Sequence, residues 1–65
     1  MMPRYIVQNI LHSLRPNRWM VFDRLFGIPA TLNERPQIDL SLDNALDIAE
    51  ELNCMDRQIL TAMLH

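Results

Sequence analysis

The stretch Arg18-Trp-Met-Val-Phe-Asp-Arg-Leu-Phe-Gly-Ile28 carries the strongest fold signal in this chain. It contains the single tryptophan, both phenylalanines and the single glycine of the 65 residues. On a helix, at about 100° per residue, its apolar side chains would sweep an arc of roughly 160°. We therefore predict a helix over residues 17–26, ended by Gly27 in the left-handed conformation and by Pro29. So large an apolar surface must be covered, either by the rest of the chain or by another molecule.

Helical spacing of apolar residues recurs in three other segments, and it predicts a single all-α domain of four helices. The predicted helices cover residues 3–14, 17–26, 42–52 and 55–64. Pro16 prevents a helix from continuing through residues 15–16, and Asn17 is a suitable N-cap for the next helix. Ser41 is the predicted N-cap of the third helix. Residues 30–39 are predicted to form a loop, in which Asn33 and Pro36 are typical residues.

The apolar content is high for so short a chain. Hydrophobic residues make up 49% of the sequence. A domain of this size buries only about 60% of the surface that its unfolded chain exposes. The excess predicts a homodimer or a complex with a partner protein, because exposed apolar patches usually mark contacts. The alternative is that these side chains are scattered singly over the surface of a monomer, which is normal.

Charge and cysteine content exclude several classes of protein. The net charge is −2, with no lysine, and it is unevenly placed: residues 1–35 carry +3 and residues 36–65 carry −5. Nucleic acid is therefore not the favoured partner. The single cysteine, Cys54, cannot form an intramolecular disulfide. No apolar run approaches the roughly 20 residues of a membrane span, and the Met-Met-Pro-Arg-Tyr start is not a signal peptide. These features predict a cytoplasmic protein without membrane contact.

The segment from Ala45 to Ala62 resembles the helix-turn-helix pattern of DNA-binding proteins. Asn53 stands at the turn, where the family has glycine, and the inward positions are apolar: Ile48, Ala49, Leu52, Ile59 and Ala62. The resemblance implies that the second helix enters the major groove, where Arg57, Gln58 and Thr61 would contact DNA. The acidic first helix and the scarcity of basic residues favour instead an αα-hairpin without a role in DNA binding.

Two groups of residues are candidates for binding a partner protein. The first is an apolar patch of Trp19, Met20 and Ile28, rimmed by Arg18 and Arg24, since tryptophan and arginine are frequent at the centres of interfaces. The second is the acidic side of the third helix. It consists of Asp43, Asp47, Glu50 and Glu51. This side is either a solvated helix face or a docking surface for a basic partner.

Nothing in the sequence indicates an enzyme, a cofactor or a metal site. His12, Cys54 and His65 are too scattered to be metal ligands, and one glycine cannot make a glycine-rich phosphate loop. We therefore predict a non-enzymatic regulator or inhibitor that acts by steric occlusion of a larger protein. Small regulators of this size are often encoded by phages or other mobile elements. The alternative is a helix-turn-helix transcriptional regulator.

Overall fold

The computed structural model describes residues 2–11 and 17–63, and in these residues one long helix packs against a three-stranded antiparallel sheet. The sheet has the order β1-β2-β3, with β1 at Tyr5–Asn9, β2 at Trp19–Asp23 and β3 at Ile28–Pro29. A separate hairpin consists of β4 (Thr31–Leu32) and β5 (Arg35–Pro36), and α1 spans Leu42–Met63. The predicted all-α domain of four helices is therefore wrong.

Strands β1 and β2 take the place of the predicted helices over residues 3–14 and 17–26. Both strands are rich in aromatic and β-branched residues, which favour an extended backbone. Val21 is fully buried on one face of β2, while Met20 and Phe22 are half-buried on the other. A strand with apolar side chains on both faces has a nearly continuous apolar run, and such a run also fits the helical period. Residues 12–16, where we predicted a helix end and a break, lie outside the described residues.

The segment predicted as a loop over residues 30–39 also contains regular structure. Asn33 and Glu34 both have positive φ, 53° and 66°, which is the geometry of the type I′ turn that suits a two-residue hairpin. Beyond the hairpin, the Val21 N–H donates to the Gln37 carbonyl at 2.9 Å, and Trp19 pairs with Leu40. Strand β2 is thus hydrogen-bonded along both of its edges and forms the centre of the domain.

Helix α1 is continuous where two helices were predicted. Its start agrees with the prediction, because Ser41 Oγ accepts the Asn44 N–H at 3.2 Å and Leu42 is the first helical residue. The helix then runs 22 residues to Met63, without the predicted turn at Asn53. The helix-turn-helix-like hairpin is therefore wrong. Asn53 does not end the helix, since its side chain instead bonds the backbone of β1.

The core lies between α1 and the sheet and is small. Its buried residues are Val21, Ala30, Ala45, Ala49 and Leu52. Two alanines on α1 let the helix backbone approach β2 closely. Larger side chains, among them Tyr5, Trp19 and Ile48, close the edges of this core while remaining partly exposed. Because the core is so small, most apolar residues of the chain are not part of it.

The helix is longer than the sheet that it covers. Its 22 residues span about 33 Å, whereas a strand of five residues spans about 17 Å. The molecule accordingly measures 46 × 25 × 21 Å, and its radius of gyration of 12.6 Å exceeds the roughly 10.7 Å of a compact domain of this length. Every residue from 57 to 63 is exposed, so the C-terminal part of α1 projects beyond the body.

Candidate protein-binding surface

An ion-pair cluster fastens α1 to the sheet at one corner of the domain. Arg4, just before β1, donates from Nε and Nη2 to both carboxylate oxygens of Asp23 at 3.0 Å. Its Nη1 donates to Asp56 on α1 at 3.1 Å. Asp23 is buried, and its hydrogen bonds from Arg4 hold the pKa of this carboxyl below the ordinary 3.8. Each guanidinium nitrogen of Arg4 donates to a carboxylate, so the cluster ties the segment before β1 to β2 and to α1.

The same corner covers the outer edge of β1 at one residue, Tyr5. The Tyr5 N–H donates to Asn53 Oδ1, and Asn53 Nδ2 donates to the Tyr5 carbonyl, both at 2.8 Å. The Asn53 amide thus pairs with the strand as a neighbouring strand would. Unpaired strand edges invite association with other chains. Here the helix blocks that route at Tyr5.

The face of α1 that packs on the sheet continues beyond the sheet. It passes through Ala45, Ala49, Leu52 and Asp56, each separated by three or four residues. The same spacing from Asp56 leads to three apolar residues. These are Ile59, Leu60 and Met63, which are 59%, 49% and 77% exposed and which we call the open stripe. The apolar face of the helix is therefore buried in its first turns and exposed to solvent in its last turns.

A groove of about 670 Å³ lies beside the open stripe. It is bounded by the N-terminal segment, by the turn between β2 and β3, and by α1. Its apolar lining comes from Met2, Leu25 and Leu60, all of which are well exposed. Arg24 and Arg57 both line it, one from the turn and one from the helix. The groove thus combines an apolar floor with two cationic side chains.

The turn that forms one wall of the groove is held in place by Asp23. Its Oδ1 accepts the Leu25 N–H at 3.0 Å, and its carbonyl accepts the Gly27 N–H at 2.8 Å. Gly27 has a φ of 70°, a conformation that glycine adopts without strain. Phe26 lies over the Arg4 guanidinium at 5.2 Å. The position of Leu25 is therefore fixed by the same cluster that anchors the helix.

The structure does not bring the predicted apolar patch together. Trp19 and Val21 share the face of β2 that packs under α1, and Met20 lies on the opposite face. Ile28 pairs with Asp23 at the far end of β2 from Trp19, and it is 53% exposed. Alternation along the strand thus separates residues that a helix would have grouped.

The two arginines predicted to rim that patch are also apart. Arg18 and Arg24 stand at opposite ends of β2, about 20 Å from each other. Arg18 forms an ion pair with Asp39 at 3.5 Å. Arg24 is a groove residue and donates from Nη1 to the Pro3 carbonyl at 3.1 Å.

The predicted acidic side is on one exposed face of α1. It carries Asp43, Asp47, Glu50 and Glu51, all exposed. The residues predicted to contact DNA follow on the same continuous helix: Arg57, Gln58 and Thr61. Without a separate recognition helix they have no helix-turn-helix geometry. Arg57 instead belongs to the groove.

Sequence reasoning missed Arg4, Leu25, Asp56 and Leu60, which form the anchored corner and the groove. One feature of the sequence did indicate this region. Residues 55–64 have more apolar residues than a helix packed on one side needs, and the open stripe consists of three of them. The contacts of Arg4 connect residues up to 52 positions apart, and no local pattern predicts them.

Comparison with protein-family models, with curated proteins and with solved structures found no match for this chain. Within residues 2–11 and 17–63, no group of three His, Cys, Asp or Glu side chains is placed to hold a metal ion. His12 and His65 lie outside these ranges. Over the same residues, no helix has both the length and the apolar character that crossing a bilayer requires.

Proposed function

We propose that this chain is a small non-enzymatic regulator that binds a larger protein and acts by covering part of its surface. The observation that carries the proposal is the open stripe. Ile59, Leu60 and Met63 prolong the core-facing side of α1 beyond the sheet, and in the part of the chain that the structure describes they remain 59%, 49% and 77% exposed. A contiguous exposed apolar surface on a small protein typically marks a contact with another molecule.

The total exposed area supports an interface of ordinary size. The accessible surface is 5289 Å², whereas a folded monomer of 7.7 kDa is expected to expose about 4,300 Å². The difference of about 1,000 Å² is similar to the roughly 800 Å² that one partner buries in a standard protein complex. One contact of common size would therefore cover the excess surface.

The projecting part of α1 has the form of a helix that binds in a groove of its partner. Such helices present anchor residues at spacings of three and four, as Ile59, Leu60 and Met63 do. A helical segment without tertiary contacts is only marginally stable in water. A partner that covers the open stripe would therefore stabilise the last turns of α1 while the chain blocks the partner's groove.

The test is a cross-linked pull-down from the native host with matched variants of the chain. Ile59→Ser combined with Met63→Ser removes the apolar anchors, and Thr61→Ser changes the opposite side of the helix. We expect a protein that the wild type and Thr61→Ser both capture and that the double variant loses. Circular dichroism should show that all three chains fold alike. Capture of the same proteins by the double variant, or of none by the wild type, would overturn the proposal.

A further inference from the structure

We infer that the groove beside the open stripe binds an acidic, amphipathic peptide segment of the partner protein. The segment would place a large apolar side chain on the groove floor and carboxylates towards Arg24 and Arg57. This inference rests on the proposed function and adds to it the chemistry of the partner.

The apolar part of the groove is built to receive a side chain rather than a flat surface. Leu25 and Leu60 face it from two different elements, and Met2 closes one end. The volume of about 670 Å³ lies in the range typical of ligand-binding clefts. Leu25 is held in place through its backbone bond to Asp23, so the wall of the cleft that the turn forms exists before binding.

The charge of the groove favours an acidic occupant. Arg4 and Asp56 also line the groove, where they pair with each other at 3.1 Å, and Arg4 pairs with Asp23 as well. By contrast, no carboxylate of residues 2–11 and 17–63 lies within ion-pair distance of Arg24 or Arg57. Two cationic side chains that line an apolar cleft from different elements are complementary to a hydrophobic residue flanked by carboxylates.

The rest of α1 strengthens this preference. The first half of the helix carries four exposed carboxylates, none of which lines the groove. An acidic segment is repelled from that half and attracted to the end where Arg24 and Arg57 lie. Such an arrangement orients the encounter and raises the rate of association.

The test is a selection that needs no knowledge of the partner. A phage-displayed library of random peptides is selected on the immobilised full chain, and the binding of enriched peptides is measured by fluorescence anisotropy. We expect enrichment of Asp and Glu next to Leu, Ile, Phe or Met. Replacing both groove arginines, Arg24→Gln with Arg57→Gln, should weaken these peptides about tenfold. Arg35→Gln, on the exposed β5 strand, is the matched control and should bind as the wild type does.

Three results of the peptide measurements would overturn the inference. They are an absence of enriched peptides, enrichment without acidic residues, and unchanged affinity in the double arginine variant. Sedimentation that shows a dimer sensitive to the same double variant would assign the groove to a second copy of this chain, and so would also overturn it. The proposed function has its own test in Ile59 and Met63, which do not line the groove, so the two can fail separately.

Discussion

The two halves of α1 have the same helical pattern but different surroundings. In the first half, Ala45, Ala49 and Leu52 are buried against the sheet. In the second half, Ile59, Leu60 and Met63 continue the same face and are exposed. The Arg4–Asp23–Asp56 cluster marks the boundary between them. The comparison shows that the length of this helix exceeds what the core requires, and that the excess is available for binding.

The largest effect on stability is expected in the packed half. Leu52→Ala removes the one large side chain that α1 buries in the core. It should lower the free energy of unfolding by about 2–4 kcal/mol, because the lost contacts leave a cavity. Urea denaturation measures this change. A loss below about 1 kcal/mol would mean that the first half of α1 is not packed as described.

The second largest effect on stability is expected in the Arg4–Asp23–Asp56 cluster. Asp23→Asn keeps the shape of the side chain but removes the charge that Arg4 pairs with, and it should cost about 1–2 kcal/mol. The pKa of Asp23 is lower in the folded chain than its ordinary 3.8. The stabilisation from the Asp23 charge is therefore complete above pH 3.8, the pKa of an ordinary Asp. It is lost as the pH falls from 3.8 towards the lower pKa that Asp23 has in the folded chain.

Urea denaturation of wild type and Asp23→Asn at a series of pH values separates the two contributions. Their difference in unfolding free energy should shrink below about pH 4. A difference that stays constant down to pH 2 would show that the charge of Asp23 does not contribute.

A smaller effect is expected at the edge of β1. Asn53→Ala removes both bonds to the Tyr5 backbone and should cost about 1 kcal/mol. The Tyr5 amide should then exchange its hydrogen about tenfold faster. Asn44→Ala, which changes an exposed side chain on α1, is the control. Equal exchange in the two variants would show that Asn53 does not protect the strand edge.

The smallest effect on stability is expected in the open stripe. Ile59→Ala should change the free energy of unfolding of the free chain by less than about 0.5 kcal/mol, because the side chain has few contacts to lose. Thermal denaturation beside Thr61→Ala measures this difference. If Ile59→Ala instead destabilises the free chain as strongly as Leu52→Ala, the second half of α1 is packed and not open.

The sequence predicted well those features that local chemistry determines. The Ser41 cap and the start of α1 depend on bonds within one helical turn, and both were found. The apolar excess, which follows from composition and chain length, also remains exposed in the folded chain. Features that depend on distant partners were missed. Asn53 looked like a helix end, but its side chain bonds Tyr5, 48 residues away.

The two strands were missed for a related reason. Over five residues, a run such as Trp19–Asp23 with apolar side chains on both faces fits a helix and a strand equally well. What decides in favour of a strand is pairing with β1 on one edge and with residues 28–40 on the other. The predicted apolar patch is not assembled, because strand alternation sends Trp19 and Met20 to opposite faces. Arg24, at the end of the strand, was the one member of that patch to line the groove.

Hydrogen exchange along α1 tests the central claim most directly, since it reports on both halves of one helix in the same sample. The free chain is measured by NMR at a concentration where sedimentation shows a monomer. We predict that the amides of Ala49–Leu52 are protected about a hundredfold more than those of Leu60–Met63, because only the former are covered by the sheet. Equal protection along the whole helix would contradict the claim that its second half is an uncovered binding surface.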